Sequence, residues 1–214
     1  MRKHMLVGVL LGATILPALQ GCVPAVVAGA TAGALATMDR RSLGTQTEDE
    51  TIEWKASARV SEKLGDTAHI NYTSYDRKVL LTGEVNSAED KAEAERIVSL
   101  VPNVAAVLNE LAVGPVSSFS DRSNDSFITS KVKSRSLDTG KFNPVHIKVV
   151  TEAGVVYLMG LVTQPEADAA IKVARTTGGV KKVVNLFDII TPAKARELDI
   201  AQSKNGQPTE EKKP

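Results

Sequence analysis

The sequence predicts an α+β protein built from two tandem units, each ordered α-β-β-α-β with a small three-stranded mixed sheet packed on two helices. Three observations predict it. The chain repeats itself: a displacement of 77 residues places His69-Ile70 on His146-Ile147 and Lys78–Val85 on Val155–Val162, and a displacement of 76 places Val104, Val107 and Asn109 on Val180, Val183 and Asn185. Within each copy, apolar residues recur every four positions before two short runs rich in Val, Ile, Leu and Tyr, which is a helix followed by strands. A period this long in two copies marks tandem domains rather than a solenoid.

The elements follow in order. Met38 to Glu50 is polar and without apolar period, so it reads as a linker whose basic pair, Arg40 and Arg41, is solvated or touches anionic headgroups. Ile52, Ala56, Val60 and Leu64 then line one helix face, and Gly65 ends it. His69 to Ser74 and Lys78 to Val85 form a hairpin about Tyr75-Asp76-Arg77. Ser87-Ala88-Glu89-Asp90 has the form of a capping box for a second helix, which runs to about Leu100 and stops at Pro102-Asn103. Val104 to Val113 carries the last strand of this copy.

Gly114 to Asn124 is flexible by composition. The second copy follows with a helix from Asp125 to about Leu137 and strands His146 to Thr151 and Val155 to Val162. A helix opened by Gln164-Pro165 and ended at Gly178-Gly179 leads into a strand from Val180 to Thr191. One face of each sheet is expected to be buried, against its own two helices. The boundaries are therefore 49–115 and 124–192, with a polar tail over 193–214 expected to be disordered.

This order resembles the BON domain. The match is carried by the glycine closing the second strand (Gly83, Gly160), the Val-x-x-Val-x-Asn run opening the third (Val104 to Asn109, Val180 to Asn185), and the Asp-x-x-Ile helix start (Asp49 to Ile52, Asp125 to Ile128). With the N-terminal features below, the whole chain is similar to the outer-membrane lipoproteins that carry two BON domains.

Those features begin with Arg2 and Lys3, followed by an apolar run from Met5 to Leu19 and a small residue at Gly21, the three parts of a secretory leader over residues 1–21. Leu19-Gln20-Gly21-Cys22 resembles a lipobox, which implies diacylglyceryl attachment to the single cysteine, cleavage before it, and a lipidated linker over 22–48. Met5 to Met38 also lacks Asp, Glu, Lys and Arg, as an uncleaved anchor would. Pro17, Gln20 and Pro24 interrupt that run and favour the cleaved leader. Val23 in place of Asp implies the outer membrane, periplasmic face, and several acyl chains would hold the protein there.

Removing Arg2 and Lys3 from the 26 basic residues leaves 24 against 25 acidic ones, a balance that argues against a nucleic-acid partner. With Cys22 committed to lipid, no disulfide and no cysteine-ligated metal is expected, nor any cofactor beyond that lipid. There is no Walker loop, no HExxH and no Ser-His-Asp setting. His69 and His146 occupy equivalent strand starts, which points to a shared structural role. The expectation is a non-enzymatic protein.

The candidate site lies on the helix from Asp125. Ile128 and Val132 form its core stripe, so Phe127 points roughly 100° away, with Lys131 one turn on and Ser134 behind it. Lys133 and Arg135 add positive charge to the same segment. An aromatic ring with cations beside it suits a peripheral membrane contact, the ring among headgroups and the cations on phosphates. The family resemblance implies the same: this helix is the anionic-phospholipid contact, for a lipid of the phosphatidylglycerol type. Phe127 stands where a family member carries Trp and lacks the indole donor. The other reading places Phe127 in a groove between the domains. Trp54, opposite the core stripe of its helix, is expected to pack on the second domain or the linker; the other reading is a membrane or protein contact. The resemblance further implies roles in envelope integrity and at the division site. Two protein partners are implied: the outer-membrane protein assembly machinery, or a cell-wall amidase activator engaged by a lipid-anchored adaptor.

Overall fold

The computed structural model describes residues 39–65 and 68–205. The leader, Cys22, the spacer after it and the last residues of the tail lie outside the described residues. The first domain comprises α1 (Leu43–Leu64), β1 (His69–Tyr75), β2 (Lys78–Val85), α2 (Ala88–Ser99), β3 (Ala106–Asn109) and β4 (Ala112–Val113). The second comprises α3 (Phe119–Asp138), a short 3-10 turn at Pro144–His146, β5 (Ile147–Glu152), β6 (Val155–Val162), α4 (Gln164–Arg175) and β7 (Lys182–Ile189), and α5 (Pro192–Asn205) follows.

In each sheet the first two strands are antiparallel and the third lies parallel to the second, in the orders β1-β2-β3 and β5-β6-β7. The third strand of the first domain is broken: β3 and β4 both pair with β2, and between them Leu111 is 2% exposed and joins the core. The hairpin turn puts Asp76 and Arg77 at φ 49° and 65°, and Ala153 and Gly154 take φ 50° and 79° in the second domain. Positive φ at both central residues is the type I′ geometry that matches the twist of paired strands.

Each turn is held from the preceding helix. Asp125 Oδ2 accepts from the Ala153 N–H and its Oδ1 from the Gly154 N–H, both at 2.8 Å. Asp49 does the same for Asp76 N (2.9 Å) and Arg77 N (2.8 Å), and also accepts from Ser74 Oγ at 2.6 Å. The Asp-x-x-Ile pair therefore does not start a helix. It sits within one, because α1 begins at Leu43 behind an Ser42 cap and α3 at Phe119 behind an Ser118–Asp121 capping box. The expected flexible stretch over 114–124 is shortened accordingly.

Gly83 and Gly160 are required by close approach. A Cβ there would lie 2.0 Å from the His69 carbonyl oxygen and 2.4 Å from that of His146. No rotation of a side chain relieves a contact with backbone.

Two cores lie between helices and sheets. The first gathers Ile52, Ala56 and Val60 of α1 with Val79, Leu81 and Val85 of β2 and Ala94, Ile97 and Val98 of α2. The second gathers Ile128 and Val132 with Val156, Leu158, Val162 and the alanines of α4. A third lies between the domains, where Tyr75 and Leu80 meet Tyr157 and Met159. Side chains alternate across a strand, so Leu80 and Tyr157 point away from the helices and the two sheets pack on each other. The molecule is thus layered helices, sheet, sheet, helices. This corrects the expectation of one buried sheet face: the second face is covered by the other domain. The Tyr75 hydroxyl donates to His146 O (3.3 Å) and accepts from Leu161 N (3.4 Å), and Lys78 pairs with Asp188 across the same junction.

The linker and the tail also differ from expectation. Arg40 is 4% exposed and binds Glu166, Asp199 and Leu161 O. Arg41 binds Asp39 and Asp49 and lies 3.9 Å from the Tyr75 ring centroid. Neither arginine is solvated or facing a bilayer: Arg40 is held by residues 126 and 159 positions away, and Arg41 folds back on Asp39 and on Asp49 of α1, against the Tyr75 ring. The tail forms α5, whose Asp199 and Gln202 bind Arg40 and Arg41 O.

Candidate membrane-facing site

The site is built on α3. Asp125, Ile128, Val132 and Ser136 are its buried stripe, repeating at three and four residues. The opposite side faces solvent. Phe127 is 62% exposed there, which excludes it from the groove between the domains. Two further apolar side chains join it: Phe119 at 80% exposure and Leu137 at 71%. They are separated by five helical turns, about 27 Å along the axis, and share one line roughly 80° from Phe127.

Between these apolar groups the strip carries Ser123, Ser126, Ser130 and Ser134. Three of the hydroxyls are turned inward, Ser123 donating to Phe119 O (2.8 Å), Ser126 to Arg122 O (3.0 Å) and Ser130 to Ser126 O (2.9 Å). A serine bonded back to its own helix makes less demand on water. Lysines bound the strip, Lys131 on one edge and Lys133 on the other.

The basic residues divide into two roles. The Lys131 ammonium lies 4.6 Å from the Phe127 ring centroid, a cation–π contact, and also donates to Gly178 O. Arg135 donates to Val173 O (3.1 Å), Thr177 Oγ1 (2.7 Å) and Thr176 Oγ1 (3.0 Å), so it closes the C-terminal end of α4. Lys133 and Ser134 are exposed on the surface. The structure therefore places all five sequence-predicted residues on one helix, with Phe127, Lys133 and Ser134 facing outward and Lys131 and Arg135 reaching toward α4. Sequence reading missed Phe119 and Leu137. Phe119 fell in the stretch taken as flexible, although its eighteen-residue spacing to Leu137 marks a single helix face.

Trp54 is 72% exposed on α1 and packs on neither the second domain nor the described linker residues. The layering puts α1 and α3 on opposite outer faces, so Trp54 and Phe127 look in different directions. No helix of the described residues is long and apolar enough to cross a membrane.

The BON domain matches this chain twice, over residues 49–115 and 124–191. The chain belongs to the BON-domain family. It is 41% identical over 181 residues to outer membrane lipoprotein DolP of Haemophilus influenzae, covering 84% of this chain and 93% of that one. It is 34% identical over 155 residues to a 21 kDa hemolysin of Actinobacillus pleuropneumoniae, covering 72% and 80%. With the osmotically-inducible protein Y of Escherichia coli it shares 33% identity over 137 residues, 60% and 68% of the two chains. As a two-domain BON protein with DolP as a near full-length relative, the chain is a lipoprotein of the outer membrane, facing the periplasm, and is not an enzyme.

Proposed function

We propose that Cys22 carries the lipid anchor and that the outward face of α3 docks on anionic phospholipid of the phosphatidylglycerol type, through which the protein supports outer-membrane integrity. One observation carries this reading: Phe119, Phe127 and Leu137 are exposed along a strip of serines with Lys131 and Lys133 at its edges. Such a strip seats apolar groups at the headgroup boundary while Lys133, exposed at its edge, meets phosphates. The division site, as a place of action, rests on the family resemblance.

The test is flotation of residues 38–214, which lack the lipid anchor, with vesicles of phosphatidylethanolamine alone or with phosphatidylglycerol. Binding is expected with the anionic lipid and is expected to fall about fivefold in Phe127→Ala, as partial burial of one aromatic ring is worth on the order of 1 kcal/mol. Equal binding by the variant and the native chain refutes the reading.

The exposure of Trp54 on the opposite layer favours a second reading, in which the anchor supplies location and α1 receives an envelope protein. The outer-membrane protein assembly machinery and a cell-wall amidase activator are the candidates. Trp54→Ala would then abolish capture of that partner while leaving vesicle binding intact.

A further inference from the structure

Where the two domains meet, three side chains of metal-ligating type converge. His69 and Glu84 are direct cross-strand partners on β1 and β2, and Glu152 ends β5 of the other domain. Their candidate ligand atoms all lie within 4.8 Å of one another. His69 Nδ1 is 3.1 Å from Glu84 Oε2, and both carboxylates belong to residues only 8% exposed.

We propose that His69, Glu84 and Glu152 form a site for a divalent transition-metal ion, best suited to zinc, that bridges the two domains. One imidazole and two carboxylates are a donor set for such an ion, whereas magnesium or calcium prefers oxygen alone. Ligands of a tetrahedral zinc stand roughly 3.4 Å apart; His69 and Glu84 are already at 3.1 Å, and the widest separation needs to close by no more than about 1.4 Å, which side-chain torsions supply.

Independent observations point the same way. The surroundings orient the donors as an outer shell does: the Ser117 N–H and Oγ both reach Glu84 Oε2 at 3.2 Å, and Asn71 Nδ2 donates to Glu152 Oε2 at 2.8 Å. Thr82, 1% exposed and on the same face of β2 as Glu84, turns its hydroxyl to Glu152 without a hydrogen bond of regular geometry. Access exists as well. A cleft of about 460 Å³, lined by His69, Asn71, Arg122, Asp125 and Glu152 among others, opens on the cluster and leaves room for water as a further ligand. Two carboxylates this close in a buried setting repel, and a dication between them relieves that repulsion.

The test is titration of the full chain in detergent micelles, stripped with chelator, with zinc chloride followed by calorimetry, beside Glu84→Gln and Glu152→Gln. The expected result is one zinc per native chain, with affinity at least about tenfold weaker in each variant. A zinc-dependent rise in the thermal midpoint is expected in the native chain alone. If Glu84→Gln fails to fold, His69→Asn, at a half-buried position, carries the same comparison. No saturable uptake by the native chain overturns the proposal, and so does equal uptake by the Glu152 and His69 variants.

Discussion

Arg40 and Glu166, separated by 126 residues, meet in a two-pronged ion pair, with Nη1 2.8 Å from Oε2 and Nη2 3.0 Å from Oε1. Glu166 is also the residue that accepts from the Thr163 N–H and hydroxyl at the start of α4. Burial alone would raise its carboxyl. The Arg40 guanidinium and the two Thr163 donors outweigh that and hold it at about 2. A depressed carboxylate contributes stability that is fully present above its unfolded value near 4.5 and is lost as the pH falls toward 2. Urea unfolding of the native chain is therefore expected to weaken across that window, and Arg40→Ala to flatten the dependence. At neutral pH the same variant leaves the half-buried Glu166 with its Thr163 donors alone and Leu161 O without its Arg40 donor, at a cost of roughly 1–3 kcal/mol.

Asp49 and Asp125 tie a helix to the hairpin turn that follows it, and their removal separates the two domains energetically. Asp125→Ala frees two turn amides, each worth roughly 1–3 kcal/mol when left unpaired. Asp49→Ala frees two amides, the Ser74 hydroxyl and one prong of Arg41, so the larger loss is expected there. Chemical denaturation of the two variants side by side gives the order.

Gly160→Ala is expected to destabilise by about 1–3 kcal/mol, because the new methyl group would sit 2.4 Å from the His146 carbonyl oxygen and the paired strands must part to admit it. A drop in the thermal midpoint with unchanged secondary structure by circular dichroism is the expected signature.

Arg135 and Lys133 stand two residues apart on α3 and should respond in opposite ways. Arg135→Ala removes the cation closing α4 and is expected to cost about 0.5–1 kcal/mol of stability. Lys133→Ala is expected to leave stability within about 0.5 kcal/mol and to weaken binding to anionic vesicles. Measuring both properties on both variants tells a structural cation from a lipid-facing one.

The two copies are legible in the sequence because the local signals agree with each other: the apolar stripe of Ile52, Ala56 and Val60, the hairpin between Tyr75 and Lys78, and the Ser87 cap all recur in the structure. The role of Asp49 is not legible, since Asp-x-x-Ile reads equally as a helix start, and only the return of the hairpin brings its turn amides to the carboxylate. The packing of sheet on sheet left a trace in Val79-Leu80-Leu81 and Val155–Met159, runs apolar at consecutive positions rather than alternating ones. Such runs mark strands buried on both faces. Arg40 left none: a basic pair in a polar stretch has the composition of a solvated linker, and its partners lie 126 and 159 residues away. On α3 the outward placement of Phe127 follows from the Ile128 and Val132 stripe, while Arg135's engagement with α4 depends on how two helices cross.

The cluster around Arg40 and Arg41 also has a mechanical meaning. Any pull delivered through the segment before Asp39 arrives at a point gripped from three directions: Asp49 in the first domain, Glu166 in the second, and Asp199 on the last helix. Load entering there is divided among both sheets and α5 at once, in place of peeling α1 away turn by turn. Both domains hang from the same knot, so a tug at Asp39 is shared between them and the last helix rather than borne by α1 alone.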